Sequence, residues 1–165
     1  MKSTLLSIVL LALLAPAAAA QSLTCEEASQ VEELLSRLMK YAELSMKHRL
    51  AGLASYYSTS LQNTLTANGE RYRHDRMTAA HLTLPLGCWV ELTSRATGKS
   101  IRVRVNDRGP YVKKFAIDLS QSAARALGVD RADDRWVDIR IIALPGEKPL
   151  PESTLGGAAS VSALR

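Results

Sequence analysis

The sequence lacks an apolar run long enough to cross a membrane, a cysteine–histidine cluster and any internal repeat. Its main hydrophobic stretch, Leu5 to Leu14, reaches only about half of the ~20 residues a membrane-spanning helix needs, which excludes a bilayer-spanning body. His48, His74 and His81 lie far from Cys25 and Cys88 and from one another, so no metal site is expected. With 165 residues, 47% hydrophobic and 22% charged, the chain has room for one compact core but hardly two. A mean hydropathy of -0.03 excludes both a disordered polyampholyte and a multi-span membrane protein. The formal charge of +5 suits nucleic acid, anionic lipid or an acidic polymer, and charge alone does not choose among them.

What is present first sets the compartment. A basic start at Lys2, the apolar run, and Ala18-Ala19-Ala20 before Gln21 predict a cleaved secretory signal peptide over residues 1–20. The mature protein is then secreted or periplasmic, part of the cell envelope, with no membrane anchor after cleavage. Cys25 is preceded by Ser22-Leu23-Thr24, a poor fit to a lipid-attachment site. Export makes nucleic acid an unsuitable partner. Two cysteines in an oxidising compartment predict one disulfide, Cys25 to Cys88, with two unpaired thiols as the alternative.

Over residues 21–51 the pattern is helical: no Gly or Pro occurs from Glu26 to Arg49, and Val31, Leu34, Leu35, Leu38, Ala42 and Met46 recur at steps of three and four. Glu26 and Glu27 suit the start of this amphipathic helix, and Lys47, His48 and Arg49 its end. Its apolar stripe is expected to dock on the chain's own core. From Gly52 to Leu144 short alternating runs replace the helical period. Val90 and Leu92, then Ile101, Val103 and Val105, then Val137, Ile139 and Ile141 mark half-buried strands, and Phe115 to Leu119 a further short one. Ser94 to Lys99 has the length and the glycine of a hairpin loop. Ser120 is placed to cap a short helix over 121–127 that stops at Gly128. The fold class is therefore mainly β, a small barrel with one inserted helix and an N-terminal helix before it. Residues 145–165, rich in Pro, Gly, Ser and Ala, read as a disordered tail.

Three segments hold candidate chemistry. Asp107, beside Arg108 and just before Gly109-Pro110, can present a carboxylate from a rigid strand-to-turn junction, although an Asp there commonly caps its own backbone. Thr66-Ala67-Asn68-Gly69-Glu70 offers a second carboxylate next to a tight turn. Thr78-Ala79-Ala80-His81 offers a histidine able to orient either acid.

Taken in order, Gly52-x-Ala54-Ser55-x-Tyr57, Thr66-Ala67-Asn68-Gly69-Glu70, Thr78-Ala79-Ala80-His81-x-Thr83-Leu84-Pro85-x-Gly87, Asn106-Asp107-Arg108-Gly109-Pro110 and Ile117-Asp118-Leu119-Ser120 resemble one family, the RlpA-like (rare lipoprotein A) proteins. The resemblance covers residues 52–144. It implies a six-stranded double-psi β-barrel of the kind used by barwin and expansin-like domains, and a lytic transglycosylase acting on peptidoglycan glycan strands without metal or organic cofactor. By the same resemblance the catalytic carboxylates fall on Asp107 and Glu70, with Asp107 as the acid. His81 and Asp118 line or brace the groove, His81 fixing a carboxylate rotamer. Tyr56 or Tyr57 is expected either to stack on a sugar face or to belong to the core, and Arg108 to support the same groove.

The sequence departs from the family at Tyr56, where Trp is usual, at Ser58, where Gly is usual, and at Arg73, where an acid or amide is usual. Arg73 is expected either to pair with Glu70 or to recruit an anionic stem peptide. Three functions stay open at this level. They are a lytic transglycosylase, a noncatalytic glycan-binding module of expansin type, and an adaptor whose N-terminal helix docks a cell-division or envelope partner.

Overall fold

The computed structural model describes residues 25–48 and 50–149; the expected signal peptide and all but the first residues of the expected tail lie outside the described residues. Helix α1 spans Cys25–Lys47. Six strands follow, β1 (Ala51–Tyr56), β2 (Thr78–Ala80), β3 (Trp89–Ser94), β4 (Ser100–Asp107), β5 (Phe115–Leu119) and β6 (Trp136–Ala143), with helix α2 (Gln121–Leu127) between the last two. They close in the order β1-β5-β2-β4-β3-β6. The β1–β5 and β2–β4 pairs are parallel and the other four antiparallel. This is the closed six-stranded double-psi barrel that the resemblance implies.

Period-two burial builds the core. Val90 and Leu92 of β3 face Val103, Val105, Val137 and Ile139 inside, all at 5% exposure or less, while Glu91, Arg102 and Arg140 face out and pair with one another. Closure leaves no edge strand to protect. At the start of α2 the Ser120 hydroxyl accepts from the Ala123 N–H at 3.2 Å, and the helix ends on Gly128 at φ 80°, the cap and stop expected from sequence.

The chain divides between Lys40 and Tyr41, inside α1, into two compact units. Along α1, Val31, Leu35, Leu38 and Met46 are exposed, and Tyr41 is the buried residue of the helix. Tyr41 has a means to stay there, because its hydroxyl donates to Glu147 Oε2 at 2.5 Å. A stripe at helical spacing tells which residues share a face, not that the face is covered.

Both cysteines are free thiols, Cys25 exposed and Cys88 buried, so the expected pairing is not made in this structure. Cys88, just before β3, has no exposed surface, and burial pushes its thiol up to about 12. A thiol reagent at pH 8 should therefore modify Cys25 at once and Cys88 only after denaturation; immediate modification of both, or no reactive thiol in the denatured, unreduced protein, would contradict this.

Candidate active site

The barrel's register gathers the family-type motifs at one place. Ala80, the last residue of β2, lies opposite Asp107 on β4 and opposite Asp118 on β5, and Asp118 lies opposite Ser55 on β1. Short β2 thus has an acid on the strand to each side.

Asp107 is half-buried and held by three donors. Its Oδ1 accepts from the backbone N–H groups of Ala67 and Arg108, each at 2.8 Å, and its Oδ2 accepts from the Tyr57 hydroxyl at 2.7 Å. The ring of Tyr57 is fixed against Tyr72, 4.6 Å between centroids. Burial, and then the hydrogen bond to Asp107, raise the Tyr57 phenol well above its ordinary value, so it stays a donor throughout the physiological range. Asp118 accepts from the Ser55 hydroxyl. Burial raises its pKa, the Ser55 bond opposes this, and the charge of Asp107 adds to the rise.

The turn from Thr66 to Glu70 joins the second candidate acid to the first. The Thr66 N–H donates to the Glu70 carbonyl at 2.8 Å, the Gly69 N–H to the Thr66 carbonyl at 2.9 Å, and the Asn68 N–H to the Asn106 carbonyl at 3.2 Å. Gly69 sits at φ 85°, in the left-handed region such a turn requires. Asn68 Oδ1 accepts from the Thr66 hydroxyl and from the Glu70 N–H, so the side chain braces the turn from within. The Ala67 N–H of this same turn holds Asp107, while Asn106, one residue earlier on β4, reaches Glu70 Oε2 at 3.2 Å.

Arg104 is the principal partner of Glu70, with two parallel 2.7 Å hydrogen bonds from its guanidinium. These bonds hold Glu70 down to about 2, with Asn106 and Asn68 contributing and burial opposing. The expected Arg73–Glu70 pair is not formed, because Arg73 forks onto its near neighbour Asp75 at 3.2 Å. Arg104 was absent from the sequence expectation, yet it stands two residues before Asn106 on β4, on the same outward face, and that spacing was the available signal.

A lowered carboxylate pKa contributes stability that is present above the unfolded value, near 4.5, and is lost as pH falls toward 2. Because the Glu70 side chain keeps 43% of its surface exposed, solvent screening limits this contribution to less than about 1 kcal/mol. Urea titrations should show wild type losing more stability between pH 4.5 and pH 2 than Arg104→Met; parallel losses would refute the assignment.

His81 is 2% exposed. Its Nδ1 accepts from the backbone N–H groups of Thr83 and Leu84 at 3.2 and 3.1 Å, and its own N–H donates to the Asp107 carbonyl at 3.2 Å. One link to Asp107 thus runs through the His81 main chain, and the ring nitrogen Nδ1 organises the 81–84 loop. Arg108 sends its guanidinium to the carbonyls of His81 and Leu84, at 3.1 and 2.8 Å, and so ties the same loop. Gly109 sits at φ 141°, a backbone conformation that side chains rarely adopt, and a Cβ there would press to 3.3 Å from Asp118 Oδ2 and stand 3.7 Å from the Ala80 Cβ. Gly109→Ala is expected to cost about 2 kcal/mol through this forced conformation, read as a lower chemical-denaturation midpoint; an unchanged midpoint would contradict it.

Beside the turn an open cleft of about 590 Å³ is lined by Glu70, Arg104, Asn106, Trp89 and the 71–78 segment. Asp107 is not among its lining residues. Asp107, Tyr57, Asp118, His81 and Arg108 therefore form one hydrogen-bonded and packed cluster, with Glu70 across the 66–70 turn on the cleft side. Arg73 lies in the cleft, apart from either acid's hydrogen bonds. Among the described residues no group of three or more His, Cys, Asp or Glu is placed to hold a metal, and no helix is long and apolar enough to cross a membrane.

A family model described as lytic transglycolase matches residues 49–140. The endolytic peptidoglycan transglycosylase RlpA of Pseudomonas aeruginosa is 52% identical over 81 residues, covering 49% of this chain and 24% of that protein. The protein of the same name from Vibrio cholerae is 45% identical over 104 residues, covering 62% of this chain and 40% of that one. The chain thus spans well under half the length of these relatives. Among solved structures, the apo expansin of Clavibacter michiganensis aligns at a TM-score of 0.44 and 24% identity, covering 60% of this chain and 52% of that one.

Proposed function

Because this chain belongs to the lytic transglycolase family, we propose that it cleaves peptidoglycan glycan strands between MurNAc and GlcNAc, leaving 1,6-anhydro-MurNAc ends. We assign this work to the cell envelope, on the leader-like pattern of residues 1–20. The observation that carries the reading is the seating of Asp107. A carboxylate that must both give and take a proton needs partners that tolerate either state, and Asp107 has them. Two amides hold Oδ1 whether or not the group is protonated. At Oδ2 the Tyr57 hydroxyl donates to the ionised form, and on rotation accepts from the protonated one.

In the reaction, protonated Asp107 Oδ2 gives its proton to the bridging oxygen as the bond to MurNAc C1 breaks. The C6 hydroxyl of the same MurNAc then attacks C1, and its proton passes to the Asp107 carboxylate. One C–O bond forms and one breaks, the proton is returned, and no water is consumed. Asp118, half-buried on the neighbouring strand, borders the Gly109 turn beside Asp107. Glu70 has its charge matched by Arg104, which suits it to hold sugar hydroxyls more than to stabilise an oxocarbenium ion. Tyr57 acts on Asp107 and is a positioning residue. His81 and Arg108 shape the 81–84 loop beside it.

That same Arg104–Glu70 pairing favours the second reading, a groove that grips glycan without cutting it. Incubating the purified protein with peptide-stripped sacculi separates the two by mass spectrometry. Soluble anhydro-ended fragments support the lyase. Protein pelleting with sacculi and no soluble fragments would leave the binding module in its place.

A further inference from the structure

The cleft beside Glu70 carries an excess of positive charge that catalysis at Asp107 does not use. Arg71, Arg73, Arg76 and Arg104 line it against two carboxylates, Glu70 and Asp75. Arg104 is matched by Glu70 and Arg73 by Asp75. Arg71 gives one guanidinium nitrogen to the Asn63 carbonyl at 2.9 Å, a neutral partner that leaves its charge uncompensated. Among the described residues the Arg76 guanidinium makes no hydrogen bond or ion pair within 4 Å, and its charge reaches Asp75, already paired with Arg73, only at longer range.

The backbone that carries Arg76 is nevertheless firmly placed. The Ser120 hydroxyl and the Thr78 N–H both donate to the Arg76 carbonyl, the latter at 3.1 Å, and the Ser122 N–H donates to the His74 carbonyl at 3.0 Å. A guanidinium is costly to desolvate without an anion, and its planar fork matches a carboxylate. Trp89 and Met77 line the same cleft, an apolar surface suited to the face of a sugar ring.

We infer that this cleft is a subsite for a carboxylate carried by the glycan strand, held by Arg76 and Arg71 one or more sugars away from the bond cleaved at Asp107. The inference rests on the glycan-cleaving reading and deepens it, by naming the chemical feature of the strand that the protein selects. Two sources carry that feature: the lactyl carboxylate of MurNAc from which the peptide has been removed, and the acidic residues of an attached stem peptide. A strand of GlcNAc alone has neither.

Cosedimentation of the purified exported chain tests this against three polymers. They are peptide-bearing sacculi, peptide-stripped sacculi, and stripped sacculi whose carboxyls have been converted to neutral methylamides. Blocking the carboxyls is expected to weaken retention by about tenfold, the scale of one hydrogen-bonded charge pair. Arg76→Gln should weaken it similarly on the unblocked polymer and not on the blocked one. Lys99→Gln removes the same charge from the exposed hairpin and should change retention less than twofold, which controls for general attraction to an anionic polymer. Tighter retention on stripped sacculi assigns the lactyl carboxylate, and tighter retention on peptide-bearing sacculi assigns the peptide. Equal retention on blocked and unblocked polymer, or equal effects of Arg76→Gln and Lys99→Gln, would overturn the inference while leaving cleavage intact. No retention on any polymer, with no soluble products, would remove the glycan-cleaving reading itself.

Discussion

Asp107→Asn is expected to lower the release of anhydro-ended fragments from sacculi by about a thousandfold, within the range of a lost general acid–base group. The amide still offers one oxygen to the Ala67 and Arg108 N–H groups, so the turn keeps its anchor and the fold is retained. What disappears is a proton that can be given up and taken back. The amide NH2 can also face the Tyr57 hydroxyl, which reverses to accept from it, so the variant should melt within a few degrees of wild type. Anhydro product from the variant at more than a tenth of the wild-type rate would exclude Asp107 as the proton-transferring group. Tyr57→Phe provides the intermediate case. It removes one of three bonds to the carboxylate, so its pH–rate profile should move while sacculus binding stays unchanged.

The largest stability effect is expected inside the barrel. Ile117 has no exposed surface and pairs with Ala54 at the parallel β1–β5 contact, immediately before Asp118. Ile117→Ala loses the transfer energy of the removed carbons and leaves a void that closed, cross-paired strands cannot collapse into, for a cost of about 3 kcal/mol. On a barrel of this size that corresponds to a fall in Tm of more than about 10 °C. Leu35→Ala on α1 provides the contrast. Leu35 is 55% exposed, and its truncation should change stability by no more than about 0.5 kcal/mol. Comparable melting losses for the two variants would mean that the stripe of α1 is buried after all.

Local signals in the sequence located much of this structure. Alternation at Val90–Leu92 and at Ile101–Val105 marks β3 and β4 because each shows one face to the core and one to solvent. Ser120 and Gly128 mark the ends of α2 because capping chemistry is local. By contrast β2, Thr78 to Ala80, is buried at all three positions, so it has no alternation to read, and its role as the strand between two acids arises from pairing with β4 and β5. The motif residues Asp107, Glu70, His81 and Asp118 were legible as candidates, whereas their partners were not. Arg104 rather than Arg73 reaches Glu70, since Arg73 has Asp75 two residues away and a short loop closes that pair first.

Running the digestion of peptide-stripped sacculi in ¹⁸O-labelled water weighs the central claim most directly, since the attacking oxygen either belongs to the sugar or comes from solvent. Intramolecular attack at the Asp107 site predicts soluble fragments ending in anhydro-MurNAc, one water lighter than reducing ends and free of ¹⁸O. Fragments with ¹⁸O at C1 would show hydrolysis instead, and contradict the account.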